Sequence, residues 1–248
     1  PYQKDVLLNL VTCALVIAGG IGFPVIFELP LKHFSWKRQS MHTRVVLSTT
    51  FALLLFGTLL LKLTESISWL GAFFYSVSAR TAGFSTYNLG DFSTAGLLVV
   101  SGLMFIGASP ASTGGGIKTT TFFVLLSGIY SAATNHSERA FHSAIPKDAF
   151  RKASVISMLA VFLVMTASYL MLIFDPQLSL RDVLFEMISA FSTSGLSTGI
   201  TPQLSAQSRI LSIIMMYIGR LGPLTVASLW YFTIGERVRY PEGTIAIG

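Results

Sequence analysis

Two short stretches of the chain have the residue types to strip water from a cation: Thr81-Ala-Gly-Phe-Ser-Thr86 and Thr193-Ser-Gly-Leu-Ser-Thr198. An ion leaving water needs replacement oxygens, and backbone carbonyls supply them without a fixed negative charge that would hold it too tightly. Carbonyls turn inward only from strained or extended backbone, which glycine permits. Gly83 and Gly195 are the permissive positions, and the carbonyls of Thr81, Ala82, Gly83, Phe84, Thr193, Ser194, Gly195 and Leu196 are the candidate ion ligands. Alone, either loop reads as a Gly/Ser turn between helices. The two are copies, however. Phe73–Thr113 recurs without a gap as Phe185–Thr225, 112 positions later, with Thr81, Gly83, Ser85 and Thr86 falling on Thr193, Gly195, Ser197 and Thr198. Duplication in register, each time after a short apolar helix, points to a symmetric pore.

The copies also differ in ways that carry charge. Ala108 in the first copy answers to Arg220 in the second, and Gly114–Gly116 answers to Val226–Ser228. Arg220 sits in an apolar stretch, where a central charge costs about 2.5–3.5 kcal/mol and is usually retained for function. Two roles are open to it: a counter-charge to a carboxylate such as Glu186, or a barrier to cation flow. Lys118 either snorkels to the surface or braces the glycine-rich loop before it. Arg80 is expected to hydrogen-bond the backbone of its own loop rather than line the conduit. Phe73, Phe74 and Tyr75 read as packing, and Glu28 as a residue reaching the interface.

Catalysis has no candidate machinery: no Ser/His/Asp set, paired carboxylates or metal-ligand cluster converges on one face. The four histidines never pair at ligand spacing, so no transition-metal site is expected. Gly114-Gly-Gly-Ile-Lys-Thr119 is a poor nucleotide loop, because Ile117 separates glycine from lysine. Cys13 has no partner for a disulfide.

The elements that must position these loops follow from composition. The chain of 248 residues is 52% hydrophobic and 11% charged, outside the range of a soluble domain. With about 20 residues per crossing, Val6–Leu29, Val45–Leu61, Gly96–Ala133, Ala153–Phe174 and Ile210–Ile234 are candidate spans. Trp69–Ala79 and Val183–Phe191 are too short to cross and read as re-entrant helices, each ending with its partially negative end toward a loop. Gly96–Ala133 is too long for one straight helix, and the break falls at Gly107-Ala-Ser-Pro-Ala-Ser-Thr-Gly-Gly-Gly116, where Pro110 lacks a donor and glycines weaken the helix.

The net charge of +6 reports topology rather than nucleic-acid binding. Lys32, Lys37, Arg38 and Arg44 lie in one connection, Arg139, Lys147, Arg151 and Lys152 in another, and Arg237 and Arg239 in the tail. By the positive-inside rule these mark the cytoplasm. Both copies then run in the same direction, as suits an axis along the membrane normal. The organisation expected is a last transmembrane helix of a preceding repeat (1–31), a cytoplasmic loop (32–44), a helix–pore–helix repeat with a broken second helix (45–134), a cytoplasmic loop (135–152), a second such repeat (153–234) and a cytoplasmic tail (235–248). The fold class is all-α integral membrane, with the helix–pore loop–helix units in parallel.

These motifs resemble the superfamily of K⁺ transporters comprising Trk, Ktr and HKT proteins, most of all the C-terminal half of a Ktr-type membrane subunit. The resemblance rests on Thr81–Ser85, Phe191–Ser197, Gly107–Lys118, Ile218-Gly-Arg-Leu-Gly-Pro-Leu224 and Arg239-Tyr-Pro-Glu-Gly243. It implies four repeats around one pseudo-fourfold pore, half of it present here, with K⁺ as the transported ion at the filter residues. Na⁺ enters as a stimulating ion, and glycine at both filter positions goes with K⁺ preference. It further implies an intramembrane gate at Gly114, Gly115, Gly116, Lys118 and Arg220. The implied setting is the plasma membrane, multi-pass with a cytoplasmic C-terminus, as a homodimer of the full-length subunit in lipid on a ring of nucleotide-binding RCK-type regulatory proteins. The alternative is a broken-helix secondary transporter coupled to Na⁺ or H⁺.

Overall fold

The computed structural model describes residues 3, 5–134, 139–141, 143–223 and 225. The end of the fifth candidate span and the basic tail, with Arg237 and Arg239, lie outside the described residues. The described chain runs α1 (Val6–Ile21), α2 (Phe23–Leu31), α3 (Met41–Thr64), α4 (Trp69–Ser78), α5 (Thr94–Phe105), α6 (Thr119–Thr134), α7 (Lys147–Phe174), α8 (Leu180–Ser192) and α9 (Ala206–Leu221). A small antiparallel pair, β1 (Arg139–Ala140) and β2 (Ser143–Ala144), joins α6 to α7.

Serines set the helix starts. Ser40, Ser68, Ser93, Ser179 and Ser205 cap α3, α4, α5, α8 and α9, each hydroxyl accepting from the amide three residues on, which satisfies a donor the helix leaves orphaned. Three of these caps are themselves clamped by a carboxylate from the end of an earlier helix. Glu28 accepts from the Ser40 amide at 2.7 Å and its hydroxyl at 2.6 Å. Glu65 accepts from the same groups of Ser93 at 3.0 and 2.6 Å, and Asp175 from those of Ser205 at 3.1 and 3.0 Å. Glu28 is therefore a helix clamp, more than a residue reaching the interface. Because Asp175 is buried, Asp175→Ala leaves both Ser205 donors without their acceptor and is expected to cost about 1–3 kcal/mol. The loss is read as a lower Tm of the detergent-purified protein.

Exposure is inverted relative to a soluble protein. Leu7, Leu63 and Met158 on α1, α3 and α7 are 75%, 82% and 74% exposed, while Tyr75 on α4 and Phe185 and Phe191 on α8 are fully buried. The two short helices thus sit inside and the long ones carry apolar side chains outward, as a bilayer requires. Met41–Thr64 and Asp148–Phe174 are each long and apolar enough to cross without a break. Each short helix packs against the long helix before it, α4 on α3 and α8 on α7, and α8 also meets α5 and α9.

The first candidate span is not straight. Helices α1 and α2 meet at 95°, because Gly22 adopts φ 92°, ψ 144° and Pro24 follows within the first turn of α2. Gly222, ahead of Pro223, repeats this geometry at the end of α9 with φ 90°, ψ 137°. A backbone of that shape breaks the i to i−4 ladder, and proline cannot restore it. The expected break in Gly96–Ala133 falls where the glycines put it, with α5 ending at Phe105 and α6 starting at Thr119.

Candidate functional site

Each loop leaves the C-terminal end of a buried helix by the same backbone device. Thr81 and Thr193 both have positive φ, 111° and 53°, and the glycines two residues on follow with φ 72° at Gly83 and 84° at Gly195. A threonine in that region is strained, and such strain persists only where the surroundings impose it. The imposing contacts are hydrogen bonds back to the helix end. The amides of Ala82 and Gly83 donate to Ser78 O at 3.0 and 3.4 Å; those of Thr193 and Ser194 donate to Ala190 O and Ser189 O at 3.0 and 3.1 Å. With their amides turned back, the loops present carbonyls. Among the described residues, those of Thr81, Ala82, Gly83, Thr193, Ser194, Gly195 and Leu196 accept no hydrogen bond. Phe84 differs, its carbonyl accepting from the Ser78 hydroxyl at 2.5 Å, which leaves it one lone pair.

The loops, distant in sequence, touch. A Cβ placed on Gly83 would lie 2.3 Å from Ser194 O and 3.2 Å from Gly195 Cα, whereas one on Gly195 would find Gly83 Cα at 3.7 Å. Only the first of the two glycines is therefore required by contact as well as by backbone.

Against both loops lies the break between α5 and α6. Its ends close on each other, with the Ile117 amide on Phe105 O at 3.2 Å. A Cβ on Gly114 would lie 2.3 Å from Thr81 Cγ2, and one on Gly115 would lie 2.8 Å from both Ser192 O and Thr193 Oγ1. Gly116 takes φ 71°. Gly114 and Gly115 leave room for the backbone to reach the bases of both loops, while Gly116 packs against Phe105 O and Met104 O at the end of α5.

Neighbouring elements pin the break through its own carbonyls. Lys118 Nζ donates to Gly114 O at 2.5 Å, Arg80 Nη2 to Gly107 O at 3.4 Å, and Arg220 Nη1 to Thr113 O. From α1, Gly20 O accepts the Ser109 amide at 3.0 Å, and the Phe23 amide donates to Ala111 O at 3.1 Å. The bend after α1 is therefore what lets α1 and α2 grip the break. One expectation changes, and the alternatives open to Lys118 and Arg220 narrow. Arg80 bonds the break rather than its own loop. Lys118 turns inward onto the glycine-rich loop. Arg220 and Glu186 do not meet, since Glu186 accepts from the Thr201 hydroxyl at 2.6 Å.

Tyr75 is a further correction. It is buried as expected of a packing residue, but its hydroxyl donates to Tyr87 O at 2.5 Å and accepts from the Tyr87 amide at 3.0 Å, tying the outer end of the first loop to α4. A tyrosine at the position filled by Met187 in the second copy was the available signal for this anchor. Nothing in the sequence announced the strained Thr81 and Thr193.

The chain is 36% identical to the Ktr system potassium uptake protein B of Vibrio alginolyticus and 34% identical to the protein of that name from Bacillus subtilis, over 100% of this chain and 57% and 58% of theirs. It is 33% identical, over 99% of its length and 58% of the relative's, to the potassium/sodium uptake protein NtpJ of Enterococcus hirae. The chain thus spans little more than half the length of these curated relatives. Among solved structures, the potassium transporter TrkH of Vibrio parahaemolyticus superposes with a TM-score of 0.75 at 18% identity, over 93% of this chain and 53% of that one, a likeness of fold. The family model described as TrkH, cation transport protein, matches residues 1–233, and the chain belongs to that family.

Proposed function

We propose that this chain supplies two pore loops and the gate of a K⁺-uptake subunit of the plasma membrane. The carbonyls of Thr81–Phe84 and Thr193–Leu196 replace water around K⁺. The single observation that carries this reading is the pair of equivalent loops in contact, each strained at the same threonine and glycine and each with carbonyls that accept no hydrogen bond among the described residues. Most of these loop residues are half-buried or exposed, so their carbonyls stay open to a ligand, and a monovalent cation shedding its water is one they suit. The relatives named for potassium uptake support K⁺ as that ion, and the potassium/sodium relative supports Na⁺ as a second one.

Gly114, Gly115 and Gly116, braced by Lys118 and Arg220, close the path below the filter. Arg80 joins them as a third brace. In this account Arg220 holds the obstruction in place through Thr113 O, and its charge repels cations beside it. The subunit works as a homodimer in lipid, with its basic loops facing a cytoplasmic ring of nucleotide-binding regulatory proteins, and needs no nucleic acid.

Cells lacking their own K⁺ uptake test the reading. Expressed in them, the full-length protein is expected to restore growth at limiting K⁺, and growth is expected to fail when Gly83 and Gly195 are both replaced by valine. Equal growth with and without those replacements overturns the filter assignment.

A further inference from the structure

Beside the second loop, a cavity of about 280 Å³ opens between α8 and α9, bordered by Glu186, Gly195, Leu196, Thr201, Arg209 and Met216. Glu186 is 8% exposed; its Oε1 accepts from Thr201, and its Oε2 is buried with no partner among the described residues. In the first copy this position is Phe74, so the carboxylate belongs to the second loop alone. Arg209, on the same cavity, donates its Nη2 to Pro202 O at 3.1 Å and forms no ion pair with Glu186.

The hydrogen bonds running out from Glu186 have one direction. A threonine hydroxyl carries a single proton, and that of Thr201 goes to the carboxylate. The 2.9 Å contact between Ser197 and Thr201 is therefore donated by Ser197. Ser197 in turn accepts from the Gly199 amide at 3.0 Å. The chain from Gly199 through Ser197 and Thr201 to Glu186 ends on an acceptor that cannot donate back, which orients every hydroxyl in it. Ser197 directly follows Leu196, the last candidate ligand of the second loop. In the first loop the same span is held differently, by Ser78 on Phe84 O and Tyr75 on Tyr87.

We infer that Glu186 is the positioning residue of the second loop, setting the outer carbonyls at Gly195 and Leu196 through Thr201 and Ser197, in the part that Tyr75 and Ser78 play for the first. This rests on the filter reading above. It makes the two loops unequal: one is held by a carboxylate, the other by neutral hydroxyls.

The test is K⁺ and Na⁺ uptake by the full-length protein carrying Glu186→Ala, Glu186→Gln, Thr201→Val, Glu186→Ala with Thr201→Val, and Gly195→Ser as reference. Losing a charge-assisted bond that orients the loop is expected to raise the half-saturating K⁺ concentration roughly tenfold in Glu186→Ala, with maximal uptake per folded molecule little changed. Thr201→Val is expected to match it, and the double variant to be no worse than either single one, as for members of one network. Glu186→Gln, which keeps an acceptor for Thr201, is expected to recover most of the affinity. If Gly195→Ser shifts ion preference while Glu186→Ala and Thr201→Val leave half-saturation unchanged, or if their effects simply add, the inference is overturned and the filter reading survives. If Gly195→Ser also changes nothing, the filter reading has failed, and the inference with it.

Discussion

In the full-length protein, Gly83→Ser is expected to lower the preference for K⁺ over Na⁺ by about tenfold or more, the larger effect of the two filter glycines. The left-handed backbone at this position costs a non-glycine residue about 1–2 kcal/mol, and 1.4 kcal/mol alone is about tenfold in an equilibrium constant. Contact adds to that. The new Cβ would stand 2.3 Å from Ser194 O, itself a candidate ligand, so the substitution displaces a carbonyl of the other loop as well as its own. Gly195→Ser meets only Gly83 Cα at 3.7 Å and carries the backbone cost alone. Competition of Na⁺ with Rb⁺ uptake measures both. Unchanged competition in Gly83→Ser, or a larger change in Gly195→Ser, contradicts the geometry.

The second large effect concerns the break between α5 and α6. Deleting Gly114–Gly116 removes the backbone that reaches Thr81 and Thr193 and is expected to raise maximal K⁺ flux tenfold or more, since a closed state that hides an open one populated at about 0.1–10% has that much to give. Arg220→Gln keeps the loop but weakens its hold on Thr113 O. It is expected to raise flux in the same direction by less, with ion preference unaltered in both. Lower flux from correctly folded protein in both variants would make the loop a support for the filter rather than its gate.

How far these features were legible depends on whether local sequence determines them. The two loops were readable because a left-handed glycine after a short apolar helix is a local requirement, and duplication removed the ambiguity of either copy. The break at Gly107–Gly116 was readable for the same reason, from Pro110 and three glycines inside a stretch too long for one helix. The bend at Gly22 escapes the length rule, because a 24-residue apolar run satisfies that rule whether or not it is straight. The partners of Arg80, Lys118 and Arg220 lie on carbonyls of a folded-back loop, and no spacing rule predicts a side chain's choice among carbonyls. The carboxylate clamps at Glu28, Glu65 and Asp175 join residues 12, 28 and 30 positions apart, beyond the reach of any helical periodicity.

In the proposed function, the carbonyls of Thr81–Phe84 and Thr193–Leu196 hold the transported ion. Thallium, a K⁺ surrogate with strong anomalous scattering, tests it in a crystal of the full-length protein. Anomalous peaks are expected beside both sets of carbonyls, weakened by competing Na⁺ only when it is in large excess. Thallium found instead at a closed midplane site away from these loops, with none beside them, would contradict the filter assignment and favour a secondary transporter.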